Sequence, residues 1–466
     1  MLDKILRKTI TKEKAAQILK TNPEALTAFE QSYACLDDEE IDNLFQVNSR
    51  QAKQFRENNL QASETYNEDD LNKLIEAIVE ELKSETEVWR YDGNKVSATK
   101  LKCLPIERKI SNNDLSQFPA TVRPELTGTL IKKDIEEPSY LALAFYYQKM
   151  SNEKNSKKAK EYYDLFRQGL DILDFDSVMY EIVGMNKNSM GYWLPKVIDD
   201  ITADGFFKVP QTTIFKVPLP MLQLTRCDYM RLTQSTLDIV NKFVYDVCQL
   251  DENKTYFIKT GTYSSKFDFR NAKVYGKKEV REMGEYLLFI HFQANQMASP
   301  LSQPCIYGVS TTNEWVVREF IDDVENNMTI YHGLPLRTEY RVFVDFDAKE
   351  ILGINPYWDK EIMNKRFENP RNQDDLHDYV TFTANVDRMM NRYNENKDKV
   401  LKYIQKFLNR NASISGQWSM DIMQNGDDFW FIDMADAANS ALSKCVPKEK
   451  LKFNKEEWIP LMEAGK

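Results

Sequence analysis

An α+β fold, with a helical N-terminal half and a largely antiparallel C-terminal half, is what this chain predicts. Helical periodicity dominates up to about residue 201, β-like runs recur at regular intervals after Gly205, and strand runs and long helical patterns stay segregated. With 466 residues the chain has room for two or three domains. The change of character places a boundary near Ala203–Phe207.

Taken in order, Thr11-Lys12-Glu13-Lys14 forms a capping segment ahead of Ala15, Ile18 and Leu19 at helical spacing. Asn22-Pro23-Glu24 then ends one helix and starts the next. Residues 1–60 are therefore expected to form a small helical module, and 61–205 a second, mainly helical domain. A helix from Glu68 to Lys83 carries the apolar stripe Leu71, Leu74, Ile75 and Ile78. From Val88 to about Ile131, three prolines and mixed polarity predict irregular chain or short strands. Helical spacing returns between Pro138 and Ile201, around a polar loop at 151–158.

The second half predicts strands at Phe207–Val209, Thr212–Val217, Thr255–Lys259, Ala272–Tyr275, Trp315–Ile321, Glu339–Phe346, Glu350–Ile354, Gln417–Met423 and Asp428–Met434. Helices are expected at Lys277–Ala298 and Asp374–Leu408.

Bulk composition excludes several classes. A net charge of −10 argues against an extended nucleic-acid surface. Six scattered cysteines and three histidines offer neither a disulfide framework nor a zinc site. The N-terminal residues lack the apolar core of a signal peptide, and no run is long enough to span a bilayer. A reducing, cytoplasmic compartment is expected. The GxGxxG and GxxxxGK[ST] nucleotide loops are both absent.

Four stretches carry possible chemistry. Tyr256-Phe257-Ile258-Lys259 is a strand ending in lysine that runs into the small-residue loop Thr260–Lys266, where backbone N–H groups are free to approach phosphates, although Lys-Thr-Gly equally suits an ordinary hairpin turn. Trp315–Ile321 is an apolar strand bearing Glu319, suited to a purine edge and equally to plain sheet. In Leu336–Asp345 strand alternation sets Arg337, Glu339, Arg341 and Asp345 on one face and Tyr340, Val342 and Val344 on the other. Such a strand floors an anion-binding cleft or forms a solvated sheet edge. Trp418–Asp436 reads as a hairpin around Asn425-Gly426. A loop of three or five residues would set Asp421 and Asp433 opposite each other, close enough to share Mg²⁺, whereas a two-residue turn would send them to opposite faces.

This ordered set, from about Thr212 to Leu442, resembles the ATP-grasp superfamily. Glu-Tyr-Arg-Val-Phe-Val and Trp-Ser-Met-Asp…Phe-Ile-Asp-Met-Ala look most like its two-arginine/one-lysine clade, found in phages and bacterial conflict systems. The resemblance implies an ATP-grasp-like catalytic domain over 206–466. It makes Lys259 a phosphate ligand, with Lys216 as an earlier ATP-binding lysine, and assigns Ser264, Ser265 and Lys266 to a loop over ATP. Glu319 and Phe320 fall at the adenine hinge, and Arg337 and Arg341 on the phosphates or the phosphorylated intermediate. Asp421 and Asp433 would bind Mg²⁺. Ala435 stands where the family often has asparagine, so either Asp436 or Asn439 supplies a further ligand or the site holds a single ion; Asp436 equally suits an exposed loop acid.

The activity so implied is an ATP- and Mg²⁺-dependent ligase. A small-molecule, peptide or protein carboxylate is phosphorylated, and an amine opens the acyl phosphate. The alternative is a nucleotide-binding assembly or interaction protein without turnover, its helical N-terminal half holding a protein partner. Either is expected in the cytoplasm, that of the host if the chain is phage-encoded.

Overall fold

The computed structural model describes residues 68–84, 86–99, 180, 184, 186–226, 234–298, 312–367 and 372–452. The expected module at 1–60, and most of the pattern expected between Pro138 and Met190, lie outside these residues. Among the described residues the chain is α+β, built on two sheets.

The first sheet contains β1 (Val88–Tyr91), β2 (Val96–Ala98), β4 (Thr212–Lys216), β5 (Tyr256–Thr260), β6 (Lys273–Val274) and β7 (Glu314–Glu319), in the order β2-β1-β4-β7-β5-β6 with every pairing antiparallel. The second contains β3 (Phe207–Lys208), β10 (Thr338–Asp345), β11 (Glu350–Pro356), β12 (Gln417–Asn425) and β13 (Asp428–Asp436), in the order β11-β10-β12-β13-β3. Only its β13–β3 edge is parallel. A small ribbon, β8 (Thr329–Ile330) with β9 (Leu334–Pro335), lies between β7 and β10 in the chain.

All nine expected strands are present, with ends displaced by a residue or two. Alternation explains this: β10 buries Tyr340, Val342 and Val344 on one face, while Glu339 and Arg341 are partly open on the other.

Helix α1 (Glu68–Ser84) buries Ile75, Ile78, Val79 and Leu82. Helix α2 (Met190–Thr202) packs Trp193, Leu194, Val197 and Ile198 into a core that takes Ile214 and Val316 from the first sheet and Val342, Met420 and Phe431 from the second. Residues 190–202, on the N-terminal side of the expected boundary, thus join the same core as residues after it. Helix α3 (Gln234–Cys248) has no counterpart among the sequence expectations. The pattern at 277–298 forms two helices, α4 (Lys277–Arg281) and α5 (Met283–Ala298), parted at Glu282. After α6 (Lys360–Phe367), α7 (Gln373–Arg410) is one continuous helix, N-capped by the Asn372 side chain accepting from the Asp375 N–H at 2.8 Å. It lays Tyr393, Val400, Ile404 and Phe407 on the apolar side of the second sheet. That leaves the polar side of the sheet free to face the first sheet. No helix of the described residues is long and apolar enough to cross a membrane.

Candidate functional site

A cleft opens where the two sheets face each other. Lys259, Ser264, Lys266, Glu319, Phe320, Arg337, Asp421 and Asp433 all line it, so eight residues singled out in the sequence converge. Arg341 stands at its floor through Asp421.

The hairpin that carries the acids combines the turn of one sequence alternative with the opposed acids of the other. Asn425 pairs with Asp428, which leaves the two-residue turn Gly426-Asp427 rather than a loop of three or five. Gly426 has φ +61°, which a two-residue hairpin turn of this kind favours and other residues resist. An even turn alone would put Asp421 and Asp433 on opposite faces. A β-bulge restores the match: Ile422 faces Phe431, Asp421 faces Asp433, and Ile432 is the extra residue between them. The bulge is legible in the core side chains Phe429, Phe431 and Met434, whose spacing lengthens from two to three.

Each acid is held by a cation. Arg341 donates through Nε and Nη2 to the two oxygens of Asp421 at 2.8 and 2.7 Å, and its guanidinium lies 4.7 Å from the centre of the Tyr357 ring. Despite burial, these carboxylates hold the Arg341 pKa above its ordinary value. Lys259, 3% exposed at the end of β5, reaches across from the first sheet to Asp433 at 3.1 Å. The loop after it is tied down tightly. Gly261 donates its N–H to the Glu314 carbonyl, and a Cβ there would fall 2.0 Å from the Ser189 hydroxyl.

Lys266 lies with its ammonium 4.4 Å from the Tyr357 ring centre, and burial lowers its pKa. Ser265 does not line the cleft. Its φ is +47° and its hydroxyl donates to Gln293 Oε1 at 2.8 Å, a brace for the loop. Glu319 pairs with Lys254 at 3.4 Å, at an open edge of the cleft. Arg337 is 4% exposed and donates to the Ile321 carbonyl at 2.7 Å, with Asp323 3.4 Å from its Nε. It therefore ties the segment after β7 to the start of β10.

Besides Ser265, two further expected residues do not join the site. Lys216 lies two strands away from Lys259 on β4, opposite Glu314, and pairs with Glu87 at 3.7 Å. Asp436 ends β13 and spends its carboxylate on the Ala438 N–H at 2.9 Å, capping a short 3₁₀ turn. The side chain of Asn439 lies outside the described residues.

The donor set fits Mg²⁺ in one respect. Asp421 and Asp433 are two hard carboxylates directly opposed and open to the cleft. Among the described residues no group of three or more acid, histidine or cysteine side chains could hold a metal. Further ligands would have to be oxygens of a bound phosphate or water.

Several residues at the cleft were not singled out as site residues. Arg318 is 4% exposed; its Nη1 donates to the Ile432 carbonyl at 2.6 Å and its Nε to Thr212 Oγ1 at 3.2 Å, while Nη2 is buried without a partner among the described residues. Burial brings its pKa down to about 10. Its parity with Val316, away from Glu319, was the available signal. Glu339 accepts from the Trp358 indole N–H at 3.2 Å. Burial, which Lys266 only partly offsets, and the nearby Asp421 carboxylate push its pKa up to about 7.

No protein-family model matches the chain, and no curated protein matches it by sequence. Among solved structures it is similar to C-terminally truncated Cdc123 from Schizosaccharomyces pombe, with 14% identity and a TM-score of 0.32 over 57% of this chain and 92% of that one. It is also similar to Cdc123 from the same organism, with 14% identity and a TM-score of 0.30 over 60% and 90%. At such TM-scores the likeness assigns neither a fold nor a role.

Proposed function

We propose that the cleft binds ATP with Mg²⁺ and that the chain is an ATP-grasp-type ligase joining a carboxylate to an amine through an acyl phosphate. The observation that carries this reading is the opposed pair Asp421 and Asp433, each neutralised by a cation, on the floor of a cleft whose other wall supplies Lys259. Phosphoryl transfer asks little covalent chemistry of a protein and a great deal of charge placement. Lys259, Lys266 and Arg341 provide positive charge in one confined volume. Phe257, Phe269, Phe320 and Ile321 provide an apolar wall for a base at the Glu319 end.

When bound, Mg²⁺ would neutralise phosphate oxygens; Asp421 and Asp433 would hold it. In that arrangement Lys259 and Arg341 orient the phosphates, and the Tyr357 and Trp358 rings narrow the space around them. The carboxylate oxygen attacks the γ-phosphorus and ADP leaves. The amine then attacks the acyl carbon, loses a proton and expels inorganic phosphate.

ATP with Mg²⁺ is expected to raise the melting temperature, since a ligand selective for the native state stabilises it. No shift at millimolar ATP would remove the reading. Asp433→Asn is expected to lower ADP formation by tenfold or more with a smaller change in nucleotide affinity. Unaltered turnover in that variant would show that the acid is misassigned. Tight binding without any ADP formation would instead favour the assembly or interaction protein.

A further inference from the structure

We propose that Arg318 is a positioning residue: by donating to the Ile432 carbonyl it holds the β13 bulge, and the bulge keeps Asp433 on the cleft face opposite Asp421. In an unbroken ladder from the Gly426-Asp427 turn, Ile432 would face Asp421, and Asp433 would turn towards the apolar core. The observed register moves by one residue after Ile422–Phe431, and everything beyond follows it.

A bulge leaves the extra residue outside the regular ladder pairing. A partly buried carbonyl in that position gains from a donor supplied from elsewhere. Here the donor comes from the other sheet. Arg318 projects from β7, braced by Thr212 on the neighbouring β4, and its Nη1 lies 2.6 Å from the Ile432 oxygen. The register of the second sheet is thereby fixed by a side chain of the first. The same contact places Asp433 under Lys259, which also belongs to the first sheet.

Deleting Ile432 should have a specific consequence. It removes the bulge and its carbonyl, yet by parity the shortened strand still sets Asp433 opposite Asp421. The test is a double-mutant cycle in urea, with Lys259→Met and Asp433→Asn, measuring the coupling between that pair in several backgrounds. A coupling of roughly fivefold in the unfolding constant is expected in the native chain, as for a half-exposed ion pair. It should vanish with Arg318→Met and return when Ile432 is also deleted.

Undiminished coupling in Arg318→Met would overturn the proposal. So would coupling that is lost there and not regained on deletion, because Arg318 would then act otherwise than through register. If Arg318→Met does not fold alone, the comparison is made within the Ile432-deleted chain. Coupling there should be indifferent to Arg318→Met, and a dependence on Arg318 overturns the idea. None of these measurements uses nucleotide, so their outcome is separate from that of the proposed function.

Discussion

Arg341→Ala is expected to lower the unfolding free energy by about 3–5 kcal/mol, the cost of breaking a buried ion pair by removing one partner. Arg341 and Asp421 have side-chain exposures of 14% and 9%, and their two hydrogen bonds are bidentate. Once the guanidinium is gone, Asp421 is left as an uncompensated charge beside Glu339. Most of the loss therefore comes from the stranded carboxylate, and adding Asp421→Asn should recover a large part of it. Urea denaturation of the two single variants and the double variant measures this directly. A loss below 1 kcal/mol in Arg341→Ala would mean that the pair is far better solvated than its burial implies. Turnover should be lost in every one of these variants under the proposed function.

Glu339→Gln is expected to stabilise the metal-free protein at pH 8 and to make little difference near pH 4. The folded-state pKa of Glu339 is raised to about 7, mainly by burial, from an ordinary value of 4.5. For a carboxyl shifted upward, the folded state favours the protonated form. Wild-type stability from this group is thus fully present below the unfolded pKa and is lost as pH rises through the folded value. Glutamine does not ionise, so the variant avoids that loss. The gap between variant and wild type should open across pH 4.5–7 to on the order of 3 kcal/mol and then stay constant. Melting temperatures of both proteins at pH 4.5, 6 and 8 would show it. A gap independent of pH would mean that Glu339 does not titrate in this range.

The strands were legible because alternation of apolar and polar residues is a local property. The face of β10 that carries Glu339 and Arg341 could be read without knowing its neighbours. The hairpin shows where this stops. Turn length and strand parity were the right variables for Asp421 and Asp433, but the extra residue lies at Ile432 in mid-strand and not in the turn. Long-range pairing was the other limit. Lys216 and Lys259 look alike as lysines near strand ends, and only the order β4-β7-β5 separates them. Arg318 was passed over because a single basic residue in an apolar strand gives no local sign of the carbonyl it meets 114 residues later.

Helix α2 sets a limit on how a ligand enters. Trp193, Leu194, Val197 and Ile198 share one core with residues of both sheets. Swinging the sheets apart would bring those side chains into water, at about 1.5–3 kcal/mol for each large one. The floor and wall of the cleft are therefore best regarded as a fixed frame. The segment around Lys266 is anchored to that frame as well, through Ser265 on Gln293, the Phe269 N–H on the Tyr331 carbonyl, and the Lys266 ammonium over Tyr357. A nucleotide that binds as proposed would have to be admitted without disturbing the register beneath it.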